Sequence, residues 1–170
     1  MIRGRFSSNQ LAFGGLFAIT FLGMLAIGAT LPVLPLYVRG PIGSGDIAVG
    51  FVTGAFAITG LTFRPLGGYL ADIRGRRRIV VIGSLLMSLA GVMYFIPAGV
   101  PGLIAARLAL GAGEAMVYAA GAAWVFDLAP TERQGRLIGI YGLAVWAGLA
   151  LGAWNGRVHN ACRVHRPPPR

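Results

Sequence analysis

The chain has 170 residues, of which 56% are hydrophobic and only 12% charged, and its formal net charge is +10. Soluble domains carry about a quarter charged residues, so this composition excludes an ordinary water-soluble domain and favours a protein that lies in lipid. A nucleic-acid partner is also excluded, because most of the arginines lie in short runs between apolar stretches and not along a basic groove.

Five apolar segments follow one another, each long enough for a transmembrane helix, which needs about 20 mostly apolar residues. Only three charged side chains, Arg64, Arg107 and Glu114, lie inside them. The pattern predicts an all-α, multi-pass bundle over residues 1–156. The predicted spans are 11–37, 47–70, 79–98, 101–126 and 137–154.

The arginines outside the spans predict the orientation of the bundle. Eight of them fall before the first span or in the loops on the same side, and only Arg39 falls on the opposite side before the fifth span ends. Cytoplasmic loops are the cation-rich ones, so we expect a cytoplasmic N-terminus in the plasma (inner) membrane. The eight are Arg3, Arg5, Arg74, Arg76, Arg77, Arg78, Arg133 and Arg136.

The segment 157–170 differs from the rest of the chain. It is polar, contains four arginines and ends in a run of three prolines before the last residue. Two interpretations stay open: a gene truncated or shifted out of frame near Trp154, or an ordinary irregular extracellular tail. His159, Cys162 and His165 supply at most three metal ligands, so we attribute their spacing to chance and predict neither a metal nor a cofactor.

The most specific motif joins the second and third spans across a very short loop, in which Gly75 is expected to allow a tight turn. It resembles the loop signature of the major facilitator superfamily, Gly-x-Leu-Ala-Asp-x-x-Gly-Arg-Arg. In that family the signature lies at the same place between helices. A plain cation-rich loop would need the arginines but not the Gly-Leu-Ala-Asp order. Ile73 departs from the family, which has a basic residue there. The matching residues are Gly68, Leu70, Ala71, Asp72, Gly75, Arg76 and Arg77.

Three weaker matches follow in the order that the family has. The segment 31–37 resembles its first-helix signature. The fifth span keeps the glycine spacing of the antiporter signature, although Ala153 replaces the proline that comes next. The fourth span matches the pattern Leu-x-x-x-Arg-x-x-x-Gly-x-Gly at Leu103, Arg107, Gly111 and Gly113.

The resemblance implies a transporter and not an enzyme: a proton-coupled exporter of small molecules that works by alternating access between two six-helix halves. It also implicates Arg107 in proton coupling. The candidate gating residues are Gly68, Asp72, Gly75, Arg76, Arg77 and Asp127. The chain supplies five helices, so it corresponds to the N-terminal part of such a carrier. The alternative is a truncated remnant, or a subunit that needs a second chain to supply the missing helices.

The charges inside the spans are functional candidates because they are costly in lipid. Glu114 lies near the midplane and Arg107 nearly on the same helix face, two turns away. The functional interpretation is a proton relay, or a cation-recognising carboxylate that lines a cavity. The alternative is a structural polar contact to a neighbouring helix. Arg64 is expected to extend to the cytoplasmic surface, and gating contacts are the alternative. Asp127 is expected either to pair with the Arg76 cluster, holding the inner side shut, or to be solvated.

Overall fold

The computed structural model describes the backbone of residues 2–164 and the side chains of residues 10–158. Over this part of the chain the structure is all-α, as predicted, and contains five α-helices and one short 3₁₀ helix, Thr131–Arg133. The α-helices are α1 (Ile2–Arg39), α2 (Asp46–Arg74), α3 (Arg76–Met93), α4 (Gly99–Leu128) and α5 (Gln134–Val164).

Glycines with positive φ mark the helix junctions. Gly75 alone separates α2 from α3, with a φ of 92°, and its N–H donates to the carbonyl of Ala71 at 3.1 Å. Other residues rarely adopt this φ, so glycine is required for a turn this tight. Gly43 and Gly99 have positive φ in the α1–α2 connection and at the start of α4. The expected tight turn at Gly75 is therefore present.

Four of the five helices are long and apolar enough to cross a membrane: α1, α2, α4 and α5. The remaining helix, α3, is shorter. It begins with Arg76, Arg77 and Arg78 and ends at Met93, before the predicted end of the span at residue 98. Residues 94–96 form turns and residues 97–98 are irregular, because Pro97 disfavours helical backbone at the residue before it and supplies no N–H.

The last helix is longer than expected. It continues to Val164, whereas the polar composition predicts an irregular tail from residue 157. Residues 157–164 contain neither glycine nor proline, so their sequence is compatible with helix although it is polar. Residues 165–170 lie outside the described residues, as do the side chains of His159 and Cys162.

The core runs along α4. Two helices, α2 and α3, pack mainly against α4, while α1 packs mainly against α5. Three hydrophobic clusters follow one another along the bundle, and α4 contributes to each through Leu103, Leu110 and Met116. This is why α4 is the most buried of the helices long enough to span. Any charge on its inner face is therefore removed from both water and lipid.

Glycines allow the close approach of α1 and α5. A Cβ added at Gly148 would lie 2.6 Å from the carbonyl oxygen of Phe21, and Gly28 and Gly152 meet opposing backbone in the same way. The spacing of Gly148 and Gly152 is thus used for packing, as small residues are in membrane helices. The similar spacing of Gly50 and Gly54 is not, because nothing lies within 4 Å of either added Cβ.

Candidate functional site

A buried carboxylate pairs with a half-exposed cation in the middle of the bundle. Glu114, on α4, is 4% exposed, and its Oε1 lies 3.5 Å from Nη2 of Arg64 on α2. The Arg64 side chain is 52% exposed. Its guanidinium carbon lies 5.0 Å from the ring centroid of Tyr118, which follows Glu114 by one helical turn on α4. Carboxylate, aromatic ring and guanidinium thus form one cluster.

The packing of α2 on α4 produces this cluster. Gly111 fits against the backbone of α2, where an added Cβ would meet the carbonyl oxygen of Phe56 and the hydroxyl of Thr59. Gly60 lies opposite Glu114, and its missing Cβ would be 4.0 Å from Oε2. Small residues at both positions let the helices approach, so that a carboxylate on α4 reaches an arginine one turn further along α2.

Arg107 forms a second buried cluster. It is 2% exposed, its Nη2 donates to Oγ1 of Thr30 at 3.3 Å, and its guanidinium carbon lies 5.8 Å from the ring centroid of Phe56. Its Nε has no hydrogen-bond partner among the described side chains and backbone, and the same holds for the hydroxyl of Tyr94. A charge in this position is costly, which marks it as a functional candidate.

The two clusters are separate. Arg107 and Glu114 lie on the inner side of α4, but no ion pair among the described residues joins them. The structure buries both side chains within the bundle. Arg64 is the exposed one of these three charged residues, and it contacts Glu114. It therefore does not extend freely to the surface, which differs from the expectation.

A hub of polar contacts lies where α2 meets α3. The Nε of Arg76 lies 2.8 Å from Oδ2 of Asp127 at the end of α4, and its Nη2 lies 3.7 Å from Oδ1 of Asp72. Its Nη1 also donates to the carbonyl of Ala123. Arg76 thus connects the α2–α3 junction to the end of α4. Its pairing with Asp127 is one of the two alternatives expected for that residue.

Other residues of the loop motif have different surroundings. Arg77 is exposed and joins none of the described ion pairs. Gly68 has open space where a Cβ would be, whereas a Cβ added at its neighbour Gly67 would lie 3.1 Å from the Cα of Met116. The tight contact between α2 and α4 is therefore made by the glycine outside the motif. A cleft of about 630 Å³ lies beside the junction, lined mainly by Asp72, Trp124, Asp127 and the arginines 74 and 76–78.

Sequence reasoning missed the partners of the two buried charges. Tyr118 and Thr30 gave no signal, since an isolated tyrosine or threonine in an apolar span is common. Arg64 did give one, because a cation inside a predicted span is rare. The register between α2 and α4 cannot be predicted from the sequence alone, and it is this register that places Arg64 beside Glu114.

Comparisons of the sequence with a family model and with individual known proteins identify the same family. The family model described as Major Facilitator Superfamily matches residues 16–157. An uncharacterized MFS-type transporter of Salmonella typhimurium is 33% identical over 144 residues, which is 80% of this chain and 37% of the relative. An uncharacterized MFS-type transporter of Methanocaldococcus jannaschii is 27% identical over 139 residues, covering 82% of this chain and 36% of the relative.

A third relative has a name that states a role. The quinolone resistance protein NorA of Staphylococcus aureus is 30% identical over 132 residues, which is 78% of this chain and 34% of NorA. The chain therefore spans about a third of the length of the curated relatives it matches.

Proposed function

This chain belongs to the major facilitator superfamily, as a multi-pass membrane protein of a transporter family, and from that membership we propose that it serves proton-coupled efflux of small molecules. The observation that carries the proposal is the pairing of buried Glu114 with Arg64 inside the bundle. A carboxylate in this position can bind a proton or a cation, and exchange between the two is the chemistry of an antiporter. The similarity to a quinolone resistance protein supports export as the direction.

Alternating access supplies the mechanism. A carrier of this type exposes one site to either side of the membrane in turn, and occupation of the site biases which side is open. In the proposal, a proton on Glu114 releases Arg64 from its ion pair, and loss of the proton restores it. Arg107 stays charged at any working pH, so it tunes the electrostatics of α4 but carries no proton.

The contacts at the α2–α3 junction fit a gating role. Arg76 joins Asp127 and Asp72, so its contacts extend from the junction to the end of α4. We propose that this hub, with Gly68, Gly75 and Arg77, holds the predicted cytoplasmic side closed in one of the two conformations. The proposed partners are the lipid bilayer, a small-molecule substrate and protons.

The proposal is tested in a carrier that has both halves. Residues 16–157 replace the aligned segment of the Salmonella typhimurium transporter, and ethidium transport is followed in energised everted vesicles. We expect transport that stops when a protonophore collapses the pH gradient, and no transport in vesicles that hold this chain alone. Ethidium transport that persists unchanged with the protonophore would refute proton coupling.

A further inference from the structure

The environment of the Arg64 guanidinium is that of a bound organic cation. A carboxylate beside an aromatic face is the arrangement by which proteins recognise such cations. Glu114 supplies the carboxylate, 3.5 Å from Nη2 of Arg64, and Tyr118 supplies the face, 5.0 Å from its guanidinium carbon. Tyr118 is itself 36% exposed, so the ring can be reached from outside the bundle.

We propose that Glu114 and Tyr118 form a binding site for an organic cation, and that Arg64 is a tethered occupant of this site which must leave before the cation binds. The inference rests on the proposed function only in that it takes the cation to be a transported substrate. It assigns to Arg64 a role in specificity: the residue excludes cations that bind Glu114 more weakly than the tethered guanidinium does.

Arg64 is held loosely enough to leave. Its 3.5 Å contact with Glu114 is long for a charge-assisted hydrogen bond, which is usually about 2.7–2.9 Å. Half of its side chain is exposed, so the freed guanidinium can be hydrated after a change of rotamer. Arg76 shows the contrast: it makes a 2.8 Å contact with Asp127 and two further polar contacts, and only 26% of its side chain is exposed.

Glu114 cannot be left without a partner. Its side chain is 6% exposed, and an unpaired carboxylate in this position is costly. The titratable groups around it are Arg64 from α2, Tyr118 from α4 and Tyr141 from α5. The hydroxyl of Tyr141 already contacts Thr20 of α1, at 3.3 Å. Arg64 is the one charged partner of Glu114 among the described residues, so only a proton or another cation can replace it.

Equilibrium binding of tetraphenylphosphonium to the purified full chain in detergent tests the inference, without any gradient. If Arg64 fills the site about nine-tenths of the time, the apparent Kd of the wild type is roughly tenfold weaker than that of the empty site. We therefore expect Arg64→Gln to tighten binding roughly tenfold. Glu114→Gln should abolish binding both alone and combined with Arg64→Gln. Arg39→Gln removes the same charge from an exposed pair with Asp46 and should change nothing.

Unchanged or weaker binding by an Arg64→Gln variant with wild-type circular dichroism would overturn the inference. A second measurement avoids dependence on how that variant folds. Phenylglyoxal modifies accessible arginines, and mass spectrometry reports the yield at each. Saturating tetraphenylphosphonium should raise the yield at Arg64 of the wild-type chain at least twofold, and a yield that stays constant or falls would also overturn the inference. Because no transport is measured, failed proton coupling would leave both results standing.

Discussion

Arg64 on α2 and Glu114 on α4 form an ion pair in which the cation is half-exposed and the carboxylate buried, with 3.5 Å between Nη2 and Oε1. The asymmetry has a physical consequence. The exposed partner can be hydrated when the pair opens, whereas the buried partner cannot. Opening the pair therefore requires a replacement at Glu114, and this requirement links the position of Arg64 to what the carboxylate has bound.

The pair should show energetic coupling in a double-mutant cycle. Arg64→Gln leaves Glu114 buried without its counter-charge, and we expect it to lower thermal stability in detergent. The same substitution should cost less when Glu114→Gln is already present, with a coupling of about 0.5–3 kcal/mol. Differential scanning fluorimetry of the four chains measures this. Strictly additive shifts in melting temperature would show that the contact contributes nothing.

The hub at Arg76 should stabilise the α2–α3 junction. Arg76→Gln removes the contacts to Asp127, Asp72 and the carbonyl of Ala123. Because both carboxylates are more than half-exposed, the expected loss of stability is only about 1 kcal/mol. Arg78→Gln removes the same charge from an exposed residue of the same helical turn, which joins none of the described ion pairs, and is the matched control. Equal melting temperatures for the two variants would contradict a role for the hub.

Packing of α1 on α5 should depend on individual glycines. Gly148→Ala places a Cβ 2.6 Å from the carbonyl oxygen of Phe21, so the helices must separate, at a cost of about 1–3 kcal/mol. Gly142→Ala, on the same helix, meets nothing within 4 Å and should be neutral or slightly stabilising. The yield of monodisperse protein and its melting temperature distinguish the two. A Gly142→Ala variant as unstable as Gly148→Ala would refute the packing argument.

The predicted orientation places the α2–α3 junction in the cytoplasm. In a chain with Cys162→Ser, a single cysteine introduced as Arg77→Cys should resist membrane-impermeant maleimide in intact cells and react after permeabilisation. Arg77 is suited to this because it is exposed and joins none of the described ion pairs. A cysteine on the opposite side, introduced as Ser44→Cys, should react in both conditions. Rapid labelling of the Arg77→Cys chain in intact cells would reverse the topology.

The helices were predictable because their causes are local. Apolar runs gave the number and order of the helices, and Gly75 gave the sharp junction between α2 and α3. The predicted ends of α3 and α5 were wrong, for reasons that are also local. The α3 helix ends before Pro97, at Met93, and residues 157–164 contain no helix breaker. The polar composition of residues 157–164 predicts irregular structure, but polar residues are also compatible with a helix.

The candidate site was predictable only in part, because its geometry is not local. Burial cost identified Arg107 and Glu114, the loop motif identified Arg76, and the position of Asp127 at the end of the fourth span made it a candidate partner of the Arg76 cluster. The partner of Glu114 depends on how α2 is placed against α4, which glycines at positions 60 and 111 permit but do not specify. The separation of the Arg107 and Glu114 clusters also follows from these contacts between helices and not from their spacing on α4.

In the proposed mechanism, Glu114 exchanges protons during transport. The most direct measurement is the rate of ethidium transport against pH in the completed carrier, for Glu114 and Glu114→Gln at equal abundance in the membrane. Glutamine keeps the size and hydrogen-bonding capacity of the side chain but does not titrate. We predict that the Glu114→Gln carrier inserts normally and loses the pH dependence of transport. Identical pH profiles for the two carriers would contradict the claim and leave Glu114 a structural partner of Arg64.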